Sequence, residues 1–245
     1  TAVKDRVGLV VLLRLRSTGD LVCFVSTHLA RNPEEEERDR LRSSQVGQLW
    51  HAIADFARAH DAWDAPVVVA GDLNSTSFGK LRGIVNSVML LEGNTCAHPF
   101  VFDCADVPTN ATSVTTARNV RIDAIMFQEQ TLKLIEVRKL PWLTSADPIP
   151  NAEHPSDHVP VSACFRLRSD WEKKCRVARG WLLQLLGWNR TMTLDGDQLR
   201  SAFDLFDQDS EGILTVEKIH LAVPAVMGAH HVKEVAAALP KLSSE

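Results

Sequence analysis

Tyrosine is absent from this 245-residue sequence, and cysteine is scarce. The five cysteines are odd in number, lie far apart and form no Cys-x-x-Cys pair, which argues against a disulfide framework and against a zinc site. No apolar run approaches the roughly 20 residues that span a bilayer, and no signal-like segment is present. The sequence therefore predicts an intracellular, cytoplasmic protein without a membrane partner.

An excess of charge of one sign is also lacking. Lys and Arg number 27 and Asp and Glu 31, and the net charge of −4 neither requires nor excludes a nucleic-acid partner. Several arginines near predicted strands either line a basic groove or point into solvent: Arg14, Arg16, Arg118, Arg121 and Arg138. Hydrophobic residues make up 45% of the chain, which is enough for a buried core in one sizeable domain and a small one.

Hydrophobic patterning predicts a mixture of strands and helices. Residues 7–16 and 20–27 predict a β-hairpin around the turn "STGD". The segment after Pro33 predicts a helix with an acidic first turn and an apolar stripe of Leu41, Val46, Leu49, Ile53, Phe56 and Ala57. The run "APVVVAGDLN" predicts a strand buried on both faces that ends in polar residues. Further on, we expect a helix over 76–92, a loop over 93–117, strands over 120–127, 132–140 and 158–168, and a loop over 144–157.

Short polar motifs end three of these strands: "STHL" (26–29), "GDLN" (71–74) and "SDH" (156–158). A further carboxylate, Asp123, lies inside the apolar strand "VRIDAIMF". Each motif alone has an ordinary explanation, since Asp and Asn favour turns and a single strand Asp commonly faces solvent. Together, histidines and carboxylates at strand ends suit a divalent cation and a phosphate, because carboxylates bind Mg²⁺ and imidazoles stabilise phosphate oxygens.

Serine-hydrolase chemistry fits the same residues poorly. Ser156, Asp157 and His158 are consecutive, and consecutive side chains on an extended strand point to opposite faces. No G-x-S-x-G turn occurs elsewhere in the chain. A catalytic triad at this position is therefore excluded.

The ordered motifs "THL", "GDLNS", "RIDAIMF" and "HPSDHVPV" resemble the endonuclease/exonuclease/phosphatase superfamily over about residues 5–168. The segments "THLARNPEEEERDRLRSSQ" and "HPFVFDCADVPTNAT" further resemble the group of carbon-catabolite-repressor deadenylases, nocturnin and the Angel proteins. The resemblance implies an α/β fold, a DNase I-like two-sheet sandwich without its first strands here, that hydrolyses phosphoesters with Mg²⁺ or Mn²⁺.

The same resemblance implies roles for individual residues. Asp72 would orient and deprotonate the attacking water, and Asn74 would hold water or phosphate. His158 would bind the scissile phosphate, with Asp123 fixing its tautomer and charge. His28 would contact the phosphate or the leaving oxygen. The resemblance also implies that Asp157 is a metal ligand, either directly or through a water molecule.

Two departures from the superfamily pattern concern the metal and the substrate. The strand that should supply the main metal-binding Glu would precede residue 1, so we expect this chain alone to bind metal poorly and to be inactive. The aromatic residue that usually follows the Asp of the "IDAI" strand is Ala124, which weakens any assignment that depends on base stacking.

The last part of the chain resembles an EF-hand. In "DQDSEGILTVEK" (207–218), the calcium ligands at loop positions 1, 3, 5 and 7 would be Asp207, Asp209, Glu211 and the carbonyl of Ile213. Position 12, which should be a bidentate Glu, is Lys218. We therefore expect a small all-α EF-hand-like module that holds little or no Ca²⁺ and that offers a surface to a protein partner.

These observations predict a phosphoesterase domain over 1–168, a helical linker over 169–190 and the EF-hand-like module over 191–245. The favoured function is a Mg²⁺-dependent 3′-to-5′ exoribonuclease of the poly(A) deadenylase kind, with RNA as its substrate. The alternatives are a phosphatase of a small molecule, either a nucleotide 2′-phosphate or an inositol phosphate, and an inactive scaffold or calcium-responsive adaptor.

Overall fold

A computed structural model describes residues 6–62, 65–79, 81, 102–104, 111–129, 131–139, 143–144, 146–188, 196–207, 209–228 and 231–239. These residues form two compact units, and the division falls between Leu167 and Arg168. Strands and one long helix make up the described part of the first unit, whereas the described part of the second unit is helical. The chain is therefore an α/β protein with a helical C-terminal unit.

Nine strands and one helix of at least two turns are described in the first unit. The strands are β1 (Gly8–Arg14), β2 (Leu21–His28), β3 (Val67–Asp72), β4 (Phe102–Cys104), β5 (Ser113–Val114), β6 (Asn119–Val120), β7 (Asp123–Gln128), β8 (Leu132–Val137) and β9 (Ala163–Leu167), and the helix is α1 (Glu36–Ala59). The main sheet has the order β1-β2-β3-β7-β4. The strands β1 and β2 pair antiparallel, so the predicted hairpin is confirmed, whereas β2 and β3 pair in parallel across the α1 connection.

One face of the main sheet packs against the β8–β9 ribbon. Val68 of β3 and Phe127 of β7 are directly paired, and both belong to an apolar cluster that includes Leu132 and Phe165 of the ribbon. The rings of Phe127 and Phe165 lie 4.9 Å apart between their centroids. This arrangement is the two-sheet sandwich that the sequence predicts, because alternate residues of each strand bury themselves between two sheets.

The opposite face of the main sheet is covered by α1. Gly8 of β1 pairs with Thr27 of β2, so both residues face the same side of the sheet. A Cβ atom at Gly8 would lie 2.5 Å from Cδ1 of Leu49 on α1, which places the helix on this side. The helix buries its own apolar stripe, including Val46, Trp50, Ile53, Ala54 and Ala57.

Several boundaries differ from those expected. Leu41 is 42% exposed, and the adjacent Arg42 is fully buried instead, because its guanidinium reaches backbone carbonyls of the loop before α1. The segment expected as a loop over 93–117 contains β4 and β5. The last strand begins at Ala163 and not at residue 158, since His158 forms only an isolated bridge to Ser113. Most of the helix expected over 76–92 lies outside the described residues.

The second unit contains the helices α2 (Asp170–Leu185), α3 (Gly196–Phe206), α4 (Val216–Met227) and α5 (Val232–Ala238) among its described residues. Ser169 begins α2 through a capping box with Glu172. The helices surround a core that includes Ala178, Leu182, Ala202, Phe206, Val223 and Val235. Trp171 and Leu185, near the two ends of α2, are 55% and 37% exposed and lie outside this core. No helix in the described ranges is long and apolar enough to cross a bilayer.

Candidate active site

The candidate site begins with three polar residues that strand pairing places in one row. His28 ends β2 and pairs with Asp72 at the end of β3, and Asp72 pairs with Asp123 at the start of β7. Directly paired residues point to the same face of a sheet, so the three side chains lie side by side. They share this face with the apolar residues that pack against the β8–β9 ribbon, and they lie beyond the edge of that cluster.

Asp72 is held in one orientation by the turn that follows it. Its Oδ1 accepts a hydrogen bond of 2.9 Å from the backbone N–H of Asn74, which has a left-handed backbone conformation with φ of 47°. Its Oδ2 lies 3.3 Å from Nε2 of His28 and 3.9 Å from Nε2 of His158. One oxygen of Asp72 is therefore fixed by the backbone, and the other faces two imidazoles.

Asn74 is 1% exposed, and its side-chain amide donates to the carbonyl of Leu29 at 3.2 Å. This contact ties the turn after β3 to the residue that follows His28. In the structure Asn74 thus positions the backbone on both sides of the site, through its own N–H and through its side chain.

A fourth residue, His158, lies beside Asp123 and Asp72 and completes the group. Its Nδ1 lies 2.7 Å from Oδ2 of Asp123, a hydrogen bond that orients the ring and leaves Nε2 directed toward Asp72. Burial raises the pKa of Asp123 and the negative charge of Asp72 adds to this, whereas hydrogen bonds from Thr112 and His158 lower the pKa. The ionised form of Asp123 therefore depends on these two hydrogen bonds.

The remaining imidazole, that of His28, has one ring nitrogen that makes no hydrogen bond within the described part of the chain. Its Nε2 is buried and has no hydrogen-bond partner among the described residues, although the charged oxygen of Asp72 is only 3.3 Å away. Burial lowers the pKa of His28, and the charge of Asp72 acts in the opposite direction. A buried ring nitrogen without a partner, facing a carboxylate, is a position where a ligand oxygen would be stabilised.

Three of these residues are arranged as potential metal ligands. Asp72, Asp123 and His158 each offer one ligand atom, and these atoms lie within 4.8 Å of one another. Asp157, the ligand that the resemblance implies, is not among these three residues. Its carboxylate is 54% exposed and lies 3.6 Å from the guanidinium of Arg118. Ser156 accepts a hydrogen bond from the backbone N–H of His158 and has no described contact with the ring.

Thr112 is a buried residue of the site that the sequence analysis did not single out. Its hydroxyl accepts hydrogen bonds from the backbone N–H groups of Ile122 and Asp123, at 3.0 and 3.1 Å. Its carbonyl accepts from the N–H of Val159 at 2.9 Å, directly after His158. Thr112 therefore connects the strand that carries Asp123 to the segment that carries His158. The "TNAT" run was the available signal, but it fell in a predicted loop.

Ser113 and Arg118 also help to fix the segment that carries His158, through a chain of hydrogen bonds. Arg118 donates to the Ser113 hydroxyl at 2.7 Å, and this hydroxyl donates to the backbone carbonyl of Asp157 at 3.0 Å. The two residues that flank His158 are therefore both fixed by backbone hydrogen bonds. The carbonyl of Asp157 accepts from Ser113, and the N–H of Val159 donates to Thr112.

No protein-family model matches the chain. The exoribonuclease subunit Ccr4 of the CCR4-Not complex from Debaryomyces hansenii is 24% identical over 197 residues, covering 70% of this chain and 23% of the relative. Ccr4 from Candida albicans is 26% identical over 193 residues, covering 67% and 24%. These relatives agree with the resemblance of the motifs to the endonuclease/exonuclease/phosphatase superfamily.

Similar solved structures include the catalytic domain of human nocturnin with bound sulfate, with a TM-score of 0.45 at 20% identity over 66% of this chain and 53% of that one. A second is ANGEL2, a 2′,3′-cyclic phosphatase, with a TM-score of 0.49 at 22% identity over 66% and 62%. The chain spans about a quarter of the length of the curated Ccr4 relatives.

Proposed function

We propose that this chain carries the catalytic residues of a metal-dependent phosphoester hydrolase, a 3′-to-5′ exoribonuclease that removes nucleotides from RNA tails. The observation that carries the proposal is the row of His28, Asp72 and Asp123, closed by His158. Relatives that are named 3′-5′-exoribonuclease subunits support RNA as the substrate. A cytoplasmic location is part of the same proposal.

The residues present fit a divalent cation. Two carboxylates and one imidazole converge within 4.8 Å, and oxygen-rich sites with few protein ligands suit Mg²⁺ and Mn²⁺. Asp72 and Asp123 would supply the oxygen ligands, and Asp157 stays a further predicted ligand. When bound, the cation would neutralise charge on the phosphate and lower the pKa of a coordinated water.

The protein side chains have separate tasks in this proposal. The Oδ2 of Asp72, which faces the two imidazoles, accepts the proton of the attacking water, since Oδ1 is already held by the backbone N–H of Asn74. Asp123 keeps a proton on Nδ1 of His158, so Nε2 acts on the phosphate oxygen in a fixed tautomer. The Nε2–H group of His28, whose nitrogen makes no hydrogen bond among the described residues, donates to a phosphate or leaving-group oxygen.

Mutations in the full-length natural polypeptide test this proposal on a labelled poly(A) oligonucleotide with Mg²⁺. Asp72→Asn and His158→Gln should each lower kcat by about a hundredfold or more, because each removes a group that acts on a proton or on the phosphate. Asp55→Asn is the matched control, since Asp55 is exposed on α1 and pairs with Arg58. Chelation by EDTA should abolish activity, and Mg²⁺ should restore it.

The outcomes separate the alternatives. Wild-type rates in both site variants would refute the assignment of the site. Faster hydrolysis of a 2′-phosphorylated dinucleotide or an inositol phosphate than of the oligonucleotide, lost in the same variants, would replace the exoribonuclease by a small-molecule phosphatase.

A further inference from the structure

In the second unit, Lys218 lies in the first turn of α4, and its ε-ammonium group reaches into the loop between α3 and α4. Its Nζ donates to a carboxylate oxygen of Asp207 at 2.8 Å, of Asp209 at 2.5 Å and of Glu211 at 3.1 Å. It also donates to the backbone carbonyl of Ile213 at 2.9 Å. These four oxygens are the ones that the loop spacing assigns to a calcium ion at positions 1, 3, 5 and 7.

The oxygens are held in place by the loop backbone as well as by the ammonium group. The second carboxylate oxygen of Asp207 accepts a hydrogen bond of 2.7 Å from the N–H of Gly212, which has a positive φ of 75°. Thr215 caps α4 by accepting from the N–H of Lys218 itself. The cage and the base of the lysine side chain are therefore parts of one hydrogen-bonded turn.

We propose that the loop over residues 207–218 is a cation site whose permanent occupant is the ε-ammonium group of Lys218. An ammonium group is a compact unit charge with three N–H donors, and here it is surrounded by four acceptor oxygens. The side chains of Lys218 and Asp207 are only 15% and 4% exposed, which distinguishes this pair from a solvated surface ion pair, whereas Asp209 and Glu211 are 50% and 66% exposed.

The charges in the cluster stabilise one another. The hydrogen bonds that Lys218 donates, to Asp207 first and then to Asp209 and Glu211, raise the pKa of Lys218, and the one to Asp207 lowers the pKa of that carboxyl. Because the cation is covalently part of the loop, its effective concentration does not vary with the ions in solution. A divalent ion would have to displace it, and position 12 would then lack the bidentate carboxylate that completes such a site. The second unit therefore folds without Ca²⁺ and does not respond to it.

Replacement of the lysine by the missing ligand tests the proposal on the complete chain. Lys218→Glu should create a site that binds Ca²⁺ with a Kd of about 10⁻⁶ to 10⁻⁴ M, measured by isothermal titration calorimetry. In EGTA, the Tm of the Lys218→Glu variant should be lower than that of the wild-type chain, and added Ca²⁺ should raise it again. The wild-type chain should give no binding heat and the same Tm in EGTA and in Ca²⁺. Lys233→Glu, at an exposed lysine of α5, is the matched control and should behave as wild type.

A second variant covers the case in which Lys218→Glu does not fold. Lys218→Gln removes the charge without adding a carboxylate, so it should have a lower Tm than Lys233→Gln. It should also bind Ca²⁺ at least tenfold more weakly than the Kd expected for Lys218→Glu. The proposal is overturned by micromolar Ca²⁺ binding to the wild-type chain, or by a Tm of Lys218→Gln equal to that of Lys233→Gln.

Discussion

At the scale of single residues, the candidate site depends on side chains that do no chemistry themselves. Asp123 is buried, and its pKa is raised by that burial, so its charge is maintained only with the help of donors around it. Thr112 is one of these donors, and its hydroxyl also accepts hydrogen bonds from the backbone N–H groups of Ile122 and Asp123. Support of this kind sets the direction in which His158 points.

Removal of this hydroxyl should be costly. In Thr112→Val, two buried N–H groups lose their acceptor, and each unsatisfied group costs about 1–3 kcal/mol of unfolding free energy. We expect a marked loss of stability in denaturant titrations and a fall in kcat with little change in KM, because the hydroxyl contacts Asp123 and not the substrate.

Thr112→Ser is the matched control, since it keeps the hydroxyl. It should recover most of the kcat and most of the stability. Equal kcat values for the Val and Ser variants would show that Thr112 does not position the site.

At the scale of elements, the close approach of β2 and β3 determines where Asp72 lies. Gly71 has a φ of 155°, and a Cβ atom there would lie 1.8 Å from the carbonyl oxygen of Thr27. A side chain at this position would therefore separate the two strands at the point where His28 and Asp72 pair. The glycine of "GDLN" is required by the backbone of the neighbouring strand.

A pair of glycine substitutions tests this point. Gly71→Ala should destabilise the chain by about 3 kcal/mol or more, as overpacking against a backbone atom does, and should reduce activity. Gly47→Ala lies in α1, where an added Cβ meets nothing within 4 Å, and should stabilise the chain by about 0.5–1 kcal/mol. Chemical unfolding of both variants gives the comparison. A neutral effect of Gly71→Ala would mean that β2 and β3 are farther apart than the structure places them.

Elements with regular patterns were predictable from the sequence, and those defined by distant partners were not. Alternation and β-branched residues identified β1, β2, β3 and β7, and polar strand ends identified His28, Asp72 and His158 as neighbours. Hydrophobic spacing placed Leu41 in the core where Arg42 lies, because spacing contains no information about the loop carbonyls that bury a guanidinium. Thr112 was missed for the same reason, since its partners lie in β7 and beside His158.

At the scale of the whole molecule, the described main sheet ends in an exposed apolar strand. Leu9 is 64% and Leu13 50% exposed, and both lie on the face of β1 opposite α1, next to the partly exposed Phe24. Strand β1 is also at one edge of the described sheet order, where backbone groups can pair with another chain. Apolar side chains on an open edge favour association between molecules.

We therefore expect the 245-residue chain to self-associate with rising concentration. Leu9→Lys combined with Leu13→Lys should weaken this association at least tenfold in sedimentation equilibrium. Association would remove the two lysine ammonium groups from water, which costs free energy. The control is Leu221→Lys, at a leucine of α4 that is 81% exposed. A wild-type chain that stays monomeric at high concentration, or an equal effect of Leu221→Lys, would contradict the expectation.

The row of His28, Asp72 and Asp123 has a consequence for misfolded forms of the chain. Each member reaches the row through the pairing register of its strand, and a slip of one residue sends every side chain of that strand to the opposite face. A slipped β3 would carry Gly71 where Asp72 belongs and would bury the carboxylate beneath α1. Molecules with a slipped β3 should therefore lack the proposed activity, because the carboxylate of Asp72 would no longer lie beside His28 and Asp123.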